Sequence, residues 1–295
     1  MNRIIRYISA VVLCMTVVQI SAQETDIDTP IPIADKWERW GPTSRTGFGF
    51  QLKMGYSIGG YSPLPIPREI RSIKKFSPQG GISVGIEGYK MFNRRWGLKI
   101  GVTLANQGFS TKAEVKNYYT RIVRYDTELK KNVEQQGWFT GTNETSVNNW
   151  TLTIPVLATF RMSPRWNVSL GPYLQIFLSK NFDATVYGFK DDPEKAAGLR
   201  FDDGYGPTGD YQDFRPSWDE EKAEWDYPEA YSELGKDMVT CTAGIELLFD
   251  WKITKHIGAF GKLDWGFTSI FPKDYDTVRF KMFPIFGTIG GAYCF

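Results

Sequence analysis

The sequence predicts an all-β fold: an eight-stranded antiparallel up-and-down transmembrane β-barrel with long extracellular loops. Three observations predict it. The last stretch alternates with period two, placing Phe283, Ile285, Gly287, Ile289, Gly291, Tyr293 and the carboxyl-terminal Phe295 on one face. Seven more stretches alternate in the same way and are joined by long and short connections in turn, as in outer-membrane barrels with loops outside and turns in the periplasm. Aromatic residues also gather on the apolar face at the short-turn ends, where a membrane interface would hold them.

Residues 1–22 read as a secretory signal peptide. Arg3 and Arg6 precede an apolar run from Ile8 to Val18, and Ser21-Ala22 stands before Gln23, so cleavage is expected near Ala22. That run is shorter than the roughly 20 residues of a spanning helix, and no later run reaches that length. Sec-dependent export to the outer membrane of a Gram-negative cell is the expectation. Residues 23–46, rich in Pro, Asp and Thr, read as a periplasmic leader, and 47–295 as the barrel.

Strands are expected at 47–58, 80–92, 95–106, 147–162, 165–179, 237–252, 256–270 and 278–295. Long loops at 59–79, 107–146 and 180–236 and a modest one at 271–277 alternate with turns at Asn93-Arg94, Ser163-Pro164 and Thr254-Lys255. A ten-strand count through 184–189 and its neighbours is the alternative. Pro155, Pro172 and Pro284 interrupt strands with neighbours on both sides, so bulges are expected there.

The faces assign themselves by alternation. Trp96, Leu98, Ile100, Val102 and Leu104 oppose Gly97, Lys99, Gly101 and Thr103, and later runs repeat the pattern. A soluble barrel would alternate too, with its faces inverted. The choice falls on the aromatics: Phe48, Phe92, Trp96, Phe160, Trp166, Trp251, Tyr293 and Phe295 form one girdle, and Tyr56, Trp150, Trp265 and Phe267 a looser second one.

The polar face carries Lys53, Glu87, Lys99, Arg161, Glu246, Asp250, Lys262 and Asp264. An eight-stranded barrel is just wide enough to be filled by side chains, so these four bases and four acids should pair across the lumen. Tyr89, Tyr173 and Phe177 would add bulk. A rigid plug is the first reading and an ion path the second.

Composition limits the function. The chain has 35 basic and 33 acidic residues, and loss of Arg3 and Arg6 leaves 33 of each, so no global field steers nucleic acid. Cys241 and Cys294 are expected at opposite ends and on opposite faces, without a disulfide. The single histidine, His256, falls at a periplasmic turn. No phosphate loop, metal-spaced cluster or cofactor fingerprint is present, and the expectation is that the protein is not an enzyme. An acid pair such as Glu246 with Asp264 reads more simply as part of the ion pairing.

The loops are better candidates for binding. Residues 181–236 hold fifteen acids against six bases, while Arg68, Arg71, Lys74 and Lys75 stand against Glu69 in the first long loop, which invites a closed cap. Trp218, Trp225, Tyr227 and Tyr231, with Tyr205 and Tyr211, supply amphipathic anchors for a partner. Asp202-Asp203 or Asp210 offers a cation site without an EF-hand pattern. Pro63-Leu64-Pro65-Ile66-Pro67 reads as a stiff extended segment.

The segments GYSIGGYSPLPIPREIR (55–71), KAEVKNY (112–118), LTIPVLATFR (152–161), RWNVSLGPY (165–173), DWGFTSIF (264–271) and 281–295 resemble the small outer-membrane β-barrel family that includes PorT. The resemblance covers most of the chain after about Gly47 except the acidic loop. It implies an outer-membrane location and, for PorT itself, a part in protein export through the type IX secretion apparatus. The functional expectation is a structural or interaction barrel that binds a partner or ligand through its external loops. The alternatives are an export component like PorT and a transport or lipid-modifying barrel.

Overall fold

The computed structural model describes residues 47–79, 81–126, 130–202, 207–226, 228–273 and 280–295; segments 1–22 and 23–46, with Trp37 and Trp40, lie outside them. Fifteen strands lie among the described residues: β1 (Gly47–Pro63), β2 (Ile70–Gln79), β3 (Gly81–Met91), β4 (Trp96–Asp126), β5 (Lys131–Arg161), β6 (Trp166–Phe177), β7 (Phe182–Tyr187), β8 (Gly198–Asp202), β9 (Pro207–Asp213), β10 (Ser217–Asp219), β11 (Glu224–Asp226), β12 (Glu229–Glu233), β13 (Cys241–Lys252), β14 (Ile257–Gly266) and β15 (Met282–Cys294).

Antiparallel pairing runs β1–β3–β4–β5–β6–β13–β14–β15 and returns from β15 to β1, so these strands form a continuous ring. The closing seam depends on glycine. Gly55 and Gly290 face each other, and a Cβ on Gly290 would stand 2.2 Å from the Met54 carbonyl oxygen.

Side chains alternate around the ring. On β1 the outward set Phe48, Phe50, Leu52, Met54, Tyr56 and Ile58 is exposed, while Gln51, Lys53 and Ser57 are buried inside. A soluble protein rarely leaves such a belt in water. The three short turns share one device: a side-chain oxygen accepts a backbone N–H two or three residues on. Asn93 Oδ1 takes Trp96 N at 2.8 Å, Ser163 Oγ takes Trp166 N at 3.1 Å, and Thr254 Oγ1 takes Ile257 N at 3.0 Å.

The long connections differ from the expected loops, because they are largely strand. β4 and β5 continue beyond the ring as one hairpin to the pair Asp126↔Lys131. β2 takes the edge of β4 above β3, β7 takes the edge of β5 above β6, and β8 follows with β9. β12 pairs with β7 and touches β4 at Tyr231↔Val123, closing a second, smaller ring of β4, β5, β7 and β12. The segment 184–189 therefore adds to this extension through β7 and does not widen the first ring. β10 and β11 form a separate hairpin.

Two apolar clusters explain why the extension folds. One, with Tyr61, Phe109, Phe177, Phe182 and Phe286, covers the mouth of the lumen. The other, with Val115, Ile122, Phe139, Leu199 and Phe214, is enclosed by the extension itself. Strand pairing satisfies the backbone groups around both.

The expected proline bulges do not occur. Registers stay constant through Pro155, Pro172 and Pro284. Pairing instead lapses at Ile154 and Pro155 toward β4 and, between β5 and β6, at Val156 and Leu157 opposite Gly171 and Pro172, and β14 pairing stops at Ile285, before Pro284. A missing donor is absorbed by a gap in the ladder rather than by an inserted residue. Register shifts fall elsewhere, between Val115 and Tyr118 among other places. The Pro-rich segment is not straight either: Pro63 ends β1, and Leu64 and Pro65 lie in a bend.

Candidate functional site

Seven of the eight lumen charges come together in two groups. Lys53 Nζ lies 2.8 Å from Glu87 Oε2 and 2.8 Å from Asp250 Oδ1. Lys99 pairs with the other oxygen of Asp250 and lies 3.4 Å from Glu87. Charges thus alternate among β1, β3, β4 and β13, and Asp250 reaches across the lumen from the far wall. In the second group Lys262 stands 2.9 Å from Asp264 and 3.4 Å from Glu246, whose backbones are cross-strand partners. Arg161 is buried on the same face, at the short-turn end opposite Asn167.

The sequence reading missed part of this interior. Lys252 is also buried, with its ammonium 5.9 Å from the centre of the Tyr89 ring. It follows Asp250 by two residues on the strand expected at 237–252, so the alternation already pointed to it. Leu157, Leu248, Phe260 and Ala292 form an apolar cluster among the charges, which a polar-in rule does not find. Tyr89, Tyr173 and Phe177 are buried as expected.

Above the ion pairs, Gln175 donates to Gln107 at 3.1 Å and accepts from Thr242 at 3.3 Å. Asn149 then donates to Tyr61 at 3.2 Å, and Tyr61 packs against Phe109, Phe177 and Phe286 at 5.4–6.1 Å between ring centroids. Layer after layer of side chains crosses the lumen. The arrangement braces opposite walls and holds each carboxylate of the two groups beside a lysine.

The extension is clasped by ions of a different kind. Glu114 of β4 takes Lys74 of β2 at 3.2 Å and Lys195 at 3.4 Å. Partial burial opposes its charge, yet the hydrogen bonds and charges of the two lysines outweigh this and hold its carboxyl below the ordinary value. At Tyr187, burial and a hydrogen bond donated to Glu144 at 3.0 Å push the phenol up. The opposite signs of the basic first loop and the acidic 181–236 stretch invited a closed cap. Lys74 of the first loop meets Glu114 on β4, and apolar packing lies beneath the cap.

The aromatic loop residues do not make one site. Trp218 on β10 is half exposed and in register with Trp225 on β11, Tyr231 is exposed on β12 in another sheet, and Tyr227 lies outside the described residues. Asp203 lies outside them too, and among the described residues no group of His, Cys, Asp and Glu is placed to hold a metal ion. His256 sits in the turn after β13 with Nδ1 3.0 Å from the Cys294 carbonyl oxygen. Cys241 is free and exposed, and Cys294 free and buried.

The family described as outer membrane protein beta-barrel domain matches residues 38–272, from before the ring through β14. The chain belongs to that family. As an outer-membrane barrel protein it places its exposed apolar belt in lipid, with Trp96, Trp166, Trp251 and Tyr293 at the short-turn end and Tyr56, Trp150 and Trp265 toward the other. Among solved structures, Ail of Yersinia pestis in complex with the heparin analogue sucrose octasulfate is 7 % identical over 84 % of this chain and 99 % of its own, at a TM-score of 0.33. OprG from Pseudomonas aeruginosa is 12 % identical over 85 % and 97 %, at 0.32. Likenesses of that size carry no argument about this protein. No curated protein matches the chain.

Proposed function

We propose that this outer-membrane protein is an eight-stranded transmembrane barrel of the interaction type, which binds a partner or ligand through a folded external cap and has no enzymatic activity. The signal peptide is cleaved near Ala22, and the leader 23–46 lies in the periplasm. One observation carries the reading: the segments beyond the ring enclose an apolar core of their own, while the lumen below is braced by buried ion pairs. A chain that only needed to span lipid would have no use for so large a buried extension. The filled lumen argues against a conducting or catalytic barrel, which would show conductance or lipid turnover dependent on the lumen charges.

The test is cross-linking capture from outer membranes, comparing the full chain with a form whose β4–β5 hairpin is shortened and whose 181–236 stretch is removed. The proposal expects the shortened form to assemble and its captured partners to be lost. Partners that persist on the shortened form contradict it. Export-machinery proteins that persist there and disappear when 23–46 is deleted would instead support a role in protein export like that of PorT.

A further inference from the structure

We propose that the cap binds a small uncharged apolar compound bearing one hydroxyl group, about the size of an alkyl-substituted phenol. This rests on the reading that the cap is the binding part of the molecule. A cavity of about 200 Å³ lies between the two apolar clusters and is lined by Phe109 of one and Val115 of the other. A cavity of roughly 150 Å³ with apolar walls holds benzene, so this one has room for a ring with a short alkyl chain.

Three features narrow the ligand. The first is the entrance: Ile66, Ile73 and Phe76 line the cavity and are 60 %, 59 % and 52 % exposed, which gives an apolar compound an apolar way in. Secondly, among the described residues no acidic or basic side chain lines the cavity, so a carboxylate or an amine would be buried there without a counter-charge from them. The third is Asn143, which lines the cavity while its side-chain oxygen is buried without a hydrogen-bond partner among the described residues. An unpaired buried acceptor is costly, and a ligand hydroxyl answers it by donating.

The experiment is equilibrium dialysis of 4-propylphenol and propylbenzene against the full chain in lipid nanodiscs, with empty nanodiscs as the reference. The parent should bind the phenol saturably, one per chain. Asn143→Leu should weaken the phenol roughly 2- to 10-fold, the worth of one hydrogen bond, and leave propylbenzene unchanged. Ala113→Phe, which fills the cavity from β4, should abolish saturable binding of both. Ile73→Asp, at an exposed position that folding tolerates, should weaken both and covers the case in which the filled variant does not fold. The proposal is overturned if the parent retains no more phenol than empty nanodiscs, if Ile73→Asp binds as the parent does, or if Asn143→Leu leaves phenol binding unchanged, as a water-filled cavity would. Partner capture on the Ile73→Asp protein separates the two claims. Phenol binding that fails while cap-dependent capture persists sinks this inference alone.

Discussion

Asp250 reaches from β13 to two ammonium groups on the opposite wall, Lys53 of β1 and Lys99 of β4, and Glu87 on β3 faces the same two. Replacing Asp250 with Ala leaves two buried lysines to share one carboxylate. The loss should be about 3–5 kcal/mol, read as a lower urea midpoint in micelles, and adding Lys99→Met should restore much of it because Lys53 and Glu87 then balance. Equal midpoints for the single and double variants would mean that these pairs do not brace the ring. Gly141 gives a second prediction at this scale. Its φ is +156°, and a Cβ there would lie 2.5 Å from the Phe139 ring and 2.7 Å from the Tyr187 carbonyl oxygen. Gly141→Ala should weaken the cap by roughly 1–3 kcal/mol, seen as faster proteolysis of cap segments with the ring intact. The eight predicted lumen residues were legible because period two gives each a face. Leu157 and Leu248 were not, because their neighbours across the lumen are set by the ring and not by their own strands.

The elements divide in the same way. The ring strands and turns were legible, since alternation and side chains such as Asn93, Ser163 and Thr254 mark them locally. The long connections were not. The arm of β4 beyond the ring shifts register between Val115 and Tyr118, which resets the alternation and hides the strand from a period-two reading. Proline misled in the other direction, because a gap in the ladder served where a bulge was expected. At this scale the clasp on Glu114 predicts a pH dependence. Its carboxyl is held below the ordinary 4.5, so the stability it adds is fully present above about that value and is lost as pH falls through the lowered one. Acidification below 4.5 should speed amide exchange in β2 of the parent more than in Glu114→Gln, where the clasp is already weakened; equal acceleration would remove Glu114 from the account.

At the scale of the whole molecule, the chain joins a plugged ring to a cap built largely from the same two strands, since β4 and β5 run 31 residues each through both parts. On the proposed reading, binding at the cap would reach the membrane-embedded ring through these two shared strands. A cap that meets external partners must lie on the outer side of the membrane. That is tested by labelling single cysteines in intact cells with a membrane-impermeant maleimide, in a Cys241→Ser background because Cys241 is exposed. Lys222→Cys, in the turn between β10 and β11, should label in intact cells, and Lys255→Cys, in the turn between β13 and β14, only after the envelope is opened. The reverse pattern, or protection of both sites until the cells are broken, would contradict the external cap.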